Sequence, residues 1–141
     1  MSKFKKEILL LVIFTVSLIF ASTSQAQYRI VKNYNLNGVA MARYDGFGRP
    51  IIIVNPNRIP NAHMAEFVIK HEIAHHKLGH LGSNKSIWRQ EYEADRWASR
   101  NSSQSARIAA ANYFRRGNGL SHSFTHGTPW SRARRILNIS R

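Results

Sequence analysis

Hydrophobic and polar positions along this chain change period several times, and each change marks a boundary between elements. Ile51-Ile52-Ile53-Val54 is continuously apolar and β-branched, the pattern of a buried strand. Residues 39–45 precede it across Gly46-Phe47-Gly48, so the spacing predicts a β-hairpin between 39–45 and 50–55. Val39-Ala40-Met41-Ala42 is more modestly apolar and suits a sheet edge. Residues 28–34 read as a short strand or a leading arm, and Pro56 and Pro60 end the sheet. The period then becomes helical. Phe67, Val68, Ile69, Ile73, Ala74 and Leu78 give residues 65–81 a buried helix, with Gly79 and Gly82 where it should stop. Ser83 and Asn84 are suitable caps for a second helix over about 85–100. Asn101-Ser102-Ser103 is a loop and cap for an alanine-rich third helix at 104–116, stopped by Gly117. A polar connector, 118–125, leads to Thr128-Pro129, an N-cap followed by proline at the first helical position, and so to a terminal helix at 130–138. No internal repeat or low-complexity segment interrupts this order. It predicts an α+β domain: a small antiparallel sheet or hairpin packed on helices 65–81 and 85–100, with two further C-terminal helices.

The first 26 residues belong to a different class. Lys3, Lys5 and Lys6 make a positive start, residues 8–20 an apolar core, and Ser24-Gln25-Ala26 a small-x-small cleavage site. Thirteen apolar residues are short for a membrane span, which needs about 20. The reading is a signal peptide at 1–26 and one mature domain at 27–141, exported across a bacterial inner membrane, with the periplasm as destination. No transmembrane span is expected after cleavage; if the segment is retained, it acts as an anchor. The chain has no cysteine, so an exported domain of this length must hold together by its core, with or without help from a bound metal, and not by disulfides.

Charge sharpens the reading. The whole chain has 21 basic and 7 acidic residues; without the leader's three lysines and one glutamate the net charge is +12. Such a balance favours acidic surfaces through long-range attraction. The basic residues are scattered and form no nucleic-acid motif, so no nucleic acid is expected, and anionic envelope components or acidic protein substrates fit better. The carboxylates are more informative. After the leader there are only six, and four of them (Glu72, Glu91, Glu93 and Asp95) fall within two short motifs. All seven histidines lie between positions 63 and 126.

The two motifs are His71-Glu72-Ile73-Ala74-His75 and Glu91-Tyr92-Glu93-Ala94-Asp95. Residues four apart share a helix face, so His71 and His75 offer two imidazole nitrogens to one cation. Glu72 lies about 100° round the helix, placed to act on a water molecule without ligating. A catalytic zinc takes three protein ligands and keeps a position open. Glu91 supplies the third. From His75 to residue 81 the first helix rises ~9 Å, and from Lys85 the second returns ~9 Å to Glu91, so an antiparallel pair brings Glu91 level with His75. Asp95, one turn on, shares Glu91's face and suits a hydrogen bond to the outer nitrogen of a ligand histidine. Glu93 points elsewhere and is the weaker ligand candidate. His76 and His80 read as structural or solvent-exposed, and His63 and His122 as ordinary loop residues. Trp88, Tyr92, Trp97 and Phe114, at helical spacings, read as core.

These residues resemble the gluzincin zinc metallopeptidases, in particular the group whose signature is HExxH followed by ExxxD. Thr125-His126-Gly127-Thr128-Pro129, with Arg132 after it, is similar to the Thr-His-Pro…Arg segment late in that group's catalytic domain. The resemblance spans roughly residues 38–136. It departs in the short insert between His75 and Glu91, in Gly127 where proline is usual, and in lacking a multi-span membrane region. In size the chain is similar to the minigluzincins. The resemblance implies a zincin-like fold and a zinc-dependent endopeptidase holding one Zn²⁺ per chain at His71, His75 and Glu91, with Asp95 behind them. Glu72 is then the general base, and His126 and Arg132 are candidates to stabilise the oxyanion. It also implies a peptide or protein substrate bound extended along the edge strand near Val39, Ala40, Met41 and Ala42. Three other readings stand beside it: a zinc-stabilised binding module closed by His126, a latent protease, and a basic envelope-binding protein without catalysis.

Overall fold

The computed structural model describes residues 28–117 and 127–139. The leader at 1–26, the whole polar connector at 118–125 with His122, and His126 lie outside the described residues. Three strands, β1 (Arg29–Lys32), β2 (Ala40–Tyr44) and β3 (Pro50–Val54), precede four helices: α1 (Ala62–Lys77), α2 (Ile87–Asn101), α3 (Gln104–Arg115) and α4 (Pro129–Leu137). A 3₁₀ turn at Pro56–Arg58 joins the sheet to α1. The class is α+β. Among the described residues no helix is long and apolar enough to cross a membrane.

The sheet is mixed rather than antiparallel. Its order is β1-β3-β2, with β2 antiparallel and β1 parallel to β3. The continuous run of β3 takes the centre, with Ile52 wholly buried. The parallel pairing follows from the link between β1 and β2, which crosses the end of β3 instead of turning back beside it. Buried Asn55 holds that link, its amide Nδ2 donating to the Tyr34 and Leu36 carbonyls at 3.2 and 2.8 Å. β2 is left at an edge. Its neighbours Val39 and Asp45 bond backbone to backbone with Asn55 and Arg49. With antiparallel pairs alternating in bonding, the odd-numbered residues of β2 face β3, and the backbone groups of Ala40 and Ala42 point outward.

The core lies between the helices. Met64, Phe67 and Val68 of α1 meet Ala98 of α2, Ala106, Ala110, Ala111 and Phe114 of α3, and Ala133 and Ile136 of α4. The alanines let the helices approach closely, and the aromatic rings of Phe67 and Phe114 fill the centre edge to face, 6.5 Å apart. Each helix begins on a side-chain cap: Asn61, Ser86, Ser103 and Thr128 accept the N–H groups of Met64, Arg89, Ala106 and Ser131. Ser86 therefore caps α2, rather than Ser83 or Asn84. Trp88 is not core either. It sits half exposed on the first turn of α2, stacked on Tyr92.

Candidate metal centre

α1 places His71 and His75 one turn apart on the face turned towards α2, and the antiparallel return of α2 brings Glu91 against them. The geometry is close. His71 Nε2 lies 3.1 Å from His75 Nε2 and 3.0 Å from Glu91 Oε2, and His75 Nε2 lies 3.5 Å from Glu91 Oε1. A tetrahedral zinc with bonds of ~2.0–2.1 Å separates its ligand atoms by about 3.3 Å. These three residues can therefore hold a metal ion, their ligand atoms all lying within 4.8 Å of one another. Two imidazole nitrogens and one carboxylate oxygen also match the donor types zinc takes in catalytic sites.

Behind His71 stands Asp95, fully buried, with Oδ1 3.0 Å from His71 Nδ1. The contact favours a proton on His71, against the burial of the ring. Asp95 is held from its other side. Arg132 Nε and Nη2 reach its two oxygens at 3.0 and 2.9 Å, and Arg135 Nη1 donates to Oδ2 at 2.9 Å. Burial opposes the Asp95 charge, but Arg132 and His71 outweigh it and hold its carboxyl well below the usual range. The same pairing gives Arg132 a second connection beside its place in the cleft. Two of its guanidinium nitrogens are committed to Asp95, and its Cζ lies 3.7 Å from the centre of the Phe114 ring. It lines the cleft and at the same time positions Asp95.

His80 is expected to be structural or solvent-exposed and Glu93 to point away from the cluster; the structure buries His80 and pairs the two. His80 is buried, and its Nδ1 lies 3.1 Å from His75 Nδ1. Its Nε2 meets Glu93 Oε2 at 3.0 Å. Glu93 is thus a partner of His80 and no part of the three-residue cluster. Lys85 and Arg89 also bind Glu93, and with His80 they lower its pKa to about 2. The available signal was His80 itself, placed after a turn glycine within reach of the motif, because a buried imidazole needs partners for both nitrogens. His76 is structural, its Nε2 3.1 Å from the Ile51 carbonyl and its ring between Tyr28 and Tyr44. His63 is exposed on the first turn of α1.

Glu72 faces the cleft beside the cluster. Burial raises its pKa, with the Glu91 charge adding to the rise, while His71 and the Ala42 backbone N–H oppose it. The cleft, about 380 Å³, has Ala40 and Ala42 on one side and Val68, Leu81 and Phe114 among its apolar walls. Comparison of the chain with protein-family models, with curated proteins and with solved structures finds no match.

Proposed function

We propose that this chain is a zinc-dependent endopeptidase of gluzincin type, with a zincin-like fold, acting in the bacterial cell envelope. The observation that carries this reading is one juxtaposition. Three convergent ligand atoms and a carboxylate that does not ligate, Glu72, share a cleft with the outward backbone of an edge strand.

An extended peptide would pair with the outward backbone groups of Ala40 and the Ala42 carbonyl, bringing one of its own carbonyls to the cluster. His71, His75 and Glu91 would hold the zinc, which would supply Lewis acidity toward a carbonyl and a water molecule. Glu72 accepts the proton of the attacking water and returns it to the leaving amine, and a raised pKa suits a group that must do both. The Ala42 N–H fixes the carboxylate while it waits. Asp95 and Arg132 hold His71 in place from behind. The net charge of the mature chain draws acidic protein substrates or anionic envelope components to its surface.

Metal analysis of the purified mature protein, beside its Glu72→Gln variant, tests the reading on an unfolded protein substrate. Both should retain one zinc, and the variant should lose ~10²–10⁴ in turnover. Equal cleavage by both removes Glu72 from the chemistry, and absence of zinc from the parent defeats the reading as a whole.

A further inference from the structure

We propose that His80 and Glu93 form a positioning relay that fixes the tautomer of His75 and aims its Nε2 lone pair at the metal. The inference rests on the metal reading above, but its argument starts from protons. To offer Nε2 to a cation, His75 must carry its own proton on Nδ1. That Nδ1 faces His80 Nδ1 at 3.1 Å, so the His80 nitrogen must be the bare acceptor of the pair. His80 then holds its proton on Nε2, and Glu93 Oε2, 3.0 Å away, accepts from it. Only one neutral arrangement makes every contact a hydrogen bond. Glu93 anchors it, because Lys85 and Arg89 hold that carboxylate in place at 2.6 and 3.0 Å.

The backbone shows the same arrangement. Gly79, at φ +63°, turns the chain sharply after α1, and the His80 N–H donates to the His75 carbonyl at 2.9 Å. The two histidines are therefore joined through both main chain and side chain. The relay makes the pair of ligand histidines asymmetric in their support. His71 has a carboxylate directly behind it, whereas His75 reaches one through a second imidazole.

Nitrogen-15 NMR of histidine-labelled, zinc-free protein reads the tautomers without any mutation. His75 should be protonated on Nδ1 and His80 on Nε2; His75 protonated on Nε2 overturns the relay. Chelator competition gives the second readout. His80→Ala should weaken zinc binding by ~10–100-fold. His80→Asn, whose Oδ1 can stand where Nδ1 accepted, should recover most of that loss. If His80→Ala binds zinc as tightly as the parent, or His80→Asn is no better than a folded His80→Ala, the relay is wrong. A parent that binds no zinc defeats the functional reading instead, and the tautomer measurement still decides the relay.

Discussion

Arg132 grips Asp95 through two nitrogens where α4 packs against α2, directly behind His71. The contact is almost dry: Asp95 is wholly buried and Arg132 is only 5% exposed. Removing one partner of such a pair leaves a buried charge without full compensation, at a cost of about 3–5 kcal/mol. Arg132→Ala should therefore unfold at markedly lower denaturant concentration, with Arg135 softening the loss through its own bond to Asp95. Equilibrium unfolding of the zinc-free variant measures it. A variant that keeps its stability but loses turnover would assign Arg132 the oxyanion role alone.

Asp95→Asn probes the same contact from the other side. The amide keeps the shape but removes the charge that faces His71 Nδ1. Loss of a group that supports a ligand histidine in this way typically weakens metal affinity by ~10–100-fold. Competition with a chromogenic chelator should show a loss of that order. Unchanged affinity would mean that Asp95 serves only to bury Arg132 and Arg135.

How far the chain could be read in advance depended on how local each feature was. The pairing of His71, His75 and Glu91 follows from helical periodicity and the rise per residue, and β3 follows from four adjacent β-branched residues. Helix ends were less legible because they depend on competition between caps. Asn61 starts α1 three residues before the expected position, and Ser86 caps α2 while Ser83 closes the preceding turn, its N–H donating to the His80 carbonyl at 3.1 Å. The parallel pairing of β1 depends on Asn55 reaching across 19 and 21 positions to the Leu36 and Tyr34 carbonyls, which no local pattern encodes. The contact between Arg132 and Asp95 was illegible for a related reason. The motif context of Arg132 pointed to substrate, while the partner that claims it lies 37 residues away on another helix.

The two glutamates of the second motif should behave very differently. Glu91 carries ligand oxygens 3.0 and 3.5 Å from the two imidazoles, whereas Glu93 is separated from the cluster by His80. Glu91→Ala should abolish stoichiometric zinc retention through gel filtration. Glu93→Ala should retain zinc with an affinity lowered by no more than the ~10–100-fold expected of an outer partner. Equal retention by both variants would remove Glu91 from the site.

Zinc uptake should depend on pH through His71. In the zinc-free protein burial works against a charge on this ring, yet Asp95 and Glu91 overcome it and raise its pKa from 6.5 to about 10. Burial and the charge on His71 instead lower the pKa of His75 to about 3. Near neutrality a cation must therefore displace one proton from His71 and none from His75. Apparent affinity should climb about tenfold per pH unit between pH 6 and 8, and level off as the pH approaches the His71 value. Stability of the zinc-free protein runs the opposite way. A group whose folded pKa is raised contributes fully below its unfolded value of 6.5, and its contribution is lost as pH rises through about 10. Zinc-free protein should thus lose thermal stability between those limits, while the zinc-loaded form, in which His71 is already deprotonated, should not share that loss. Chelator competition at three pH values and paired melting curves check both halves. A flat affinity profile would mean that His71 is neutral before the metal arrives.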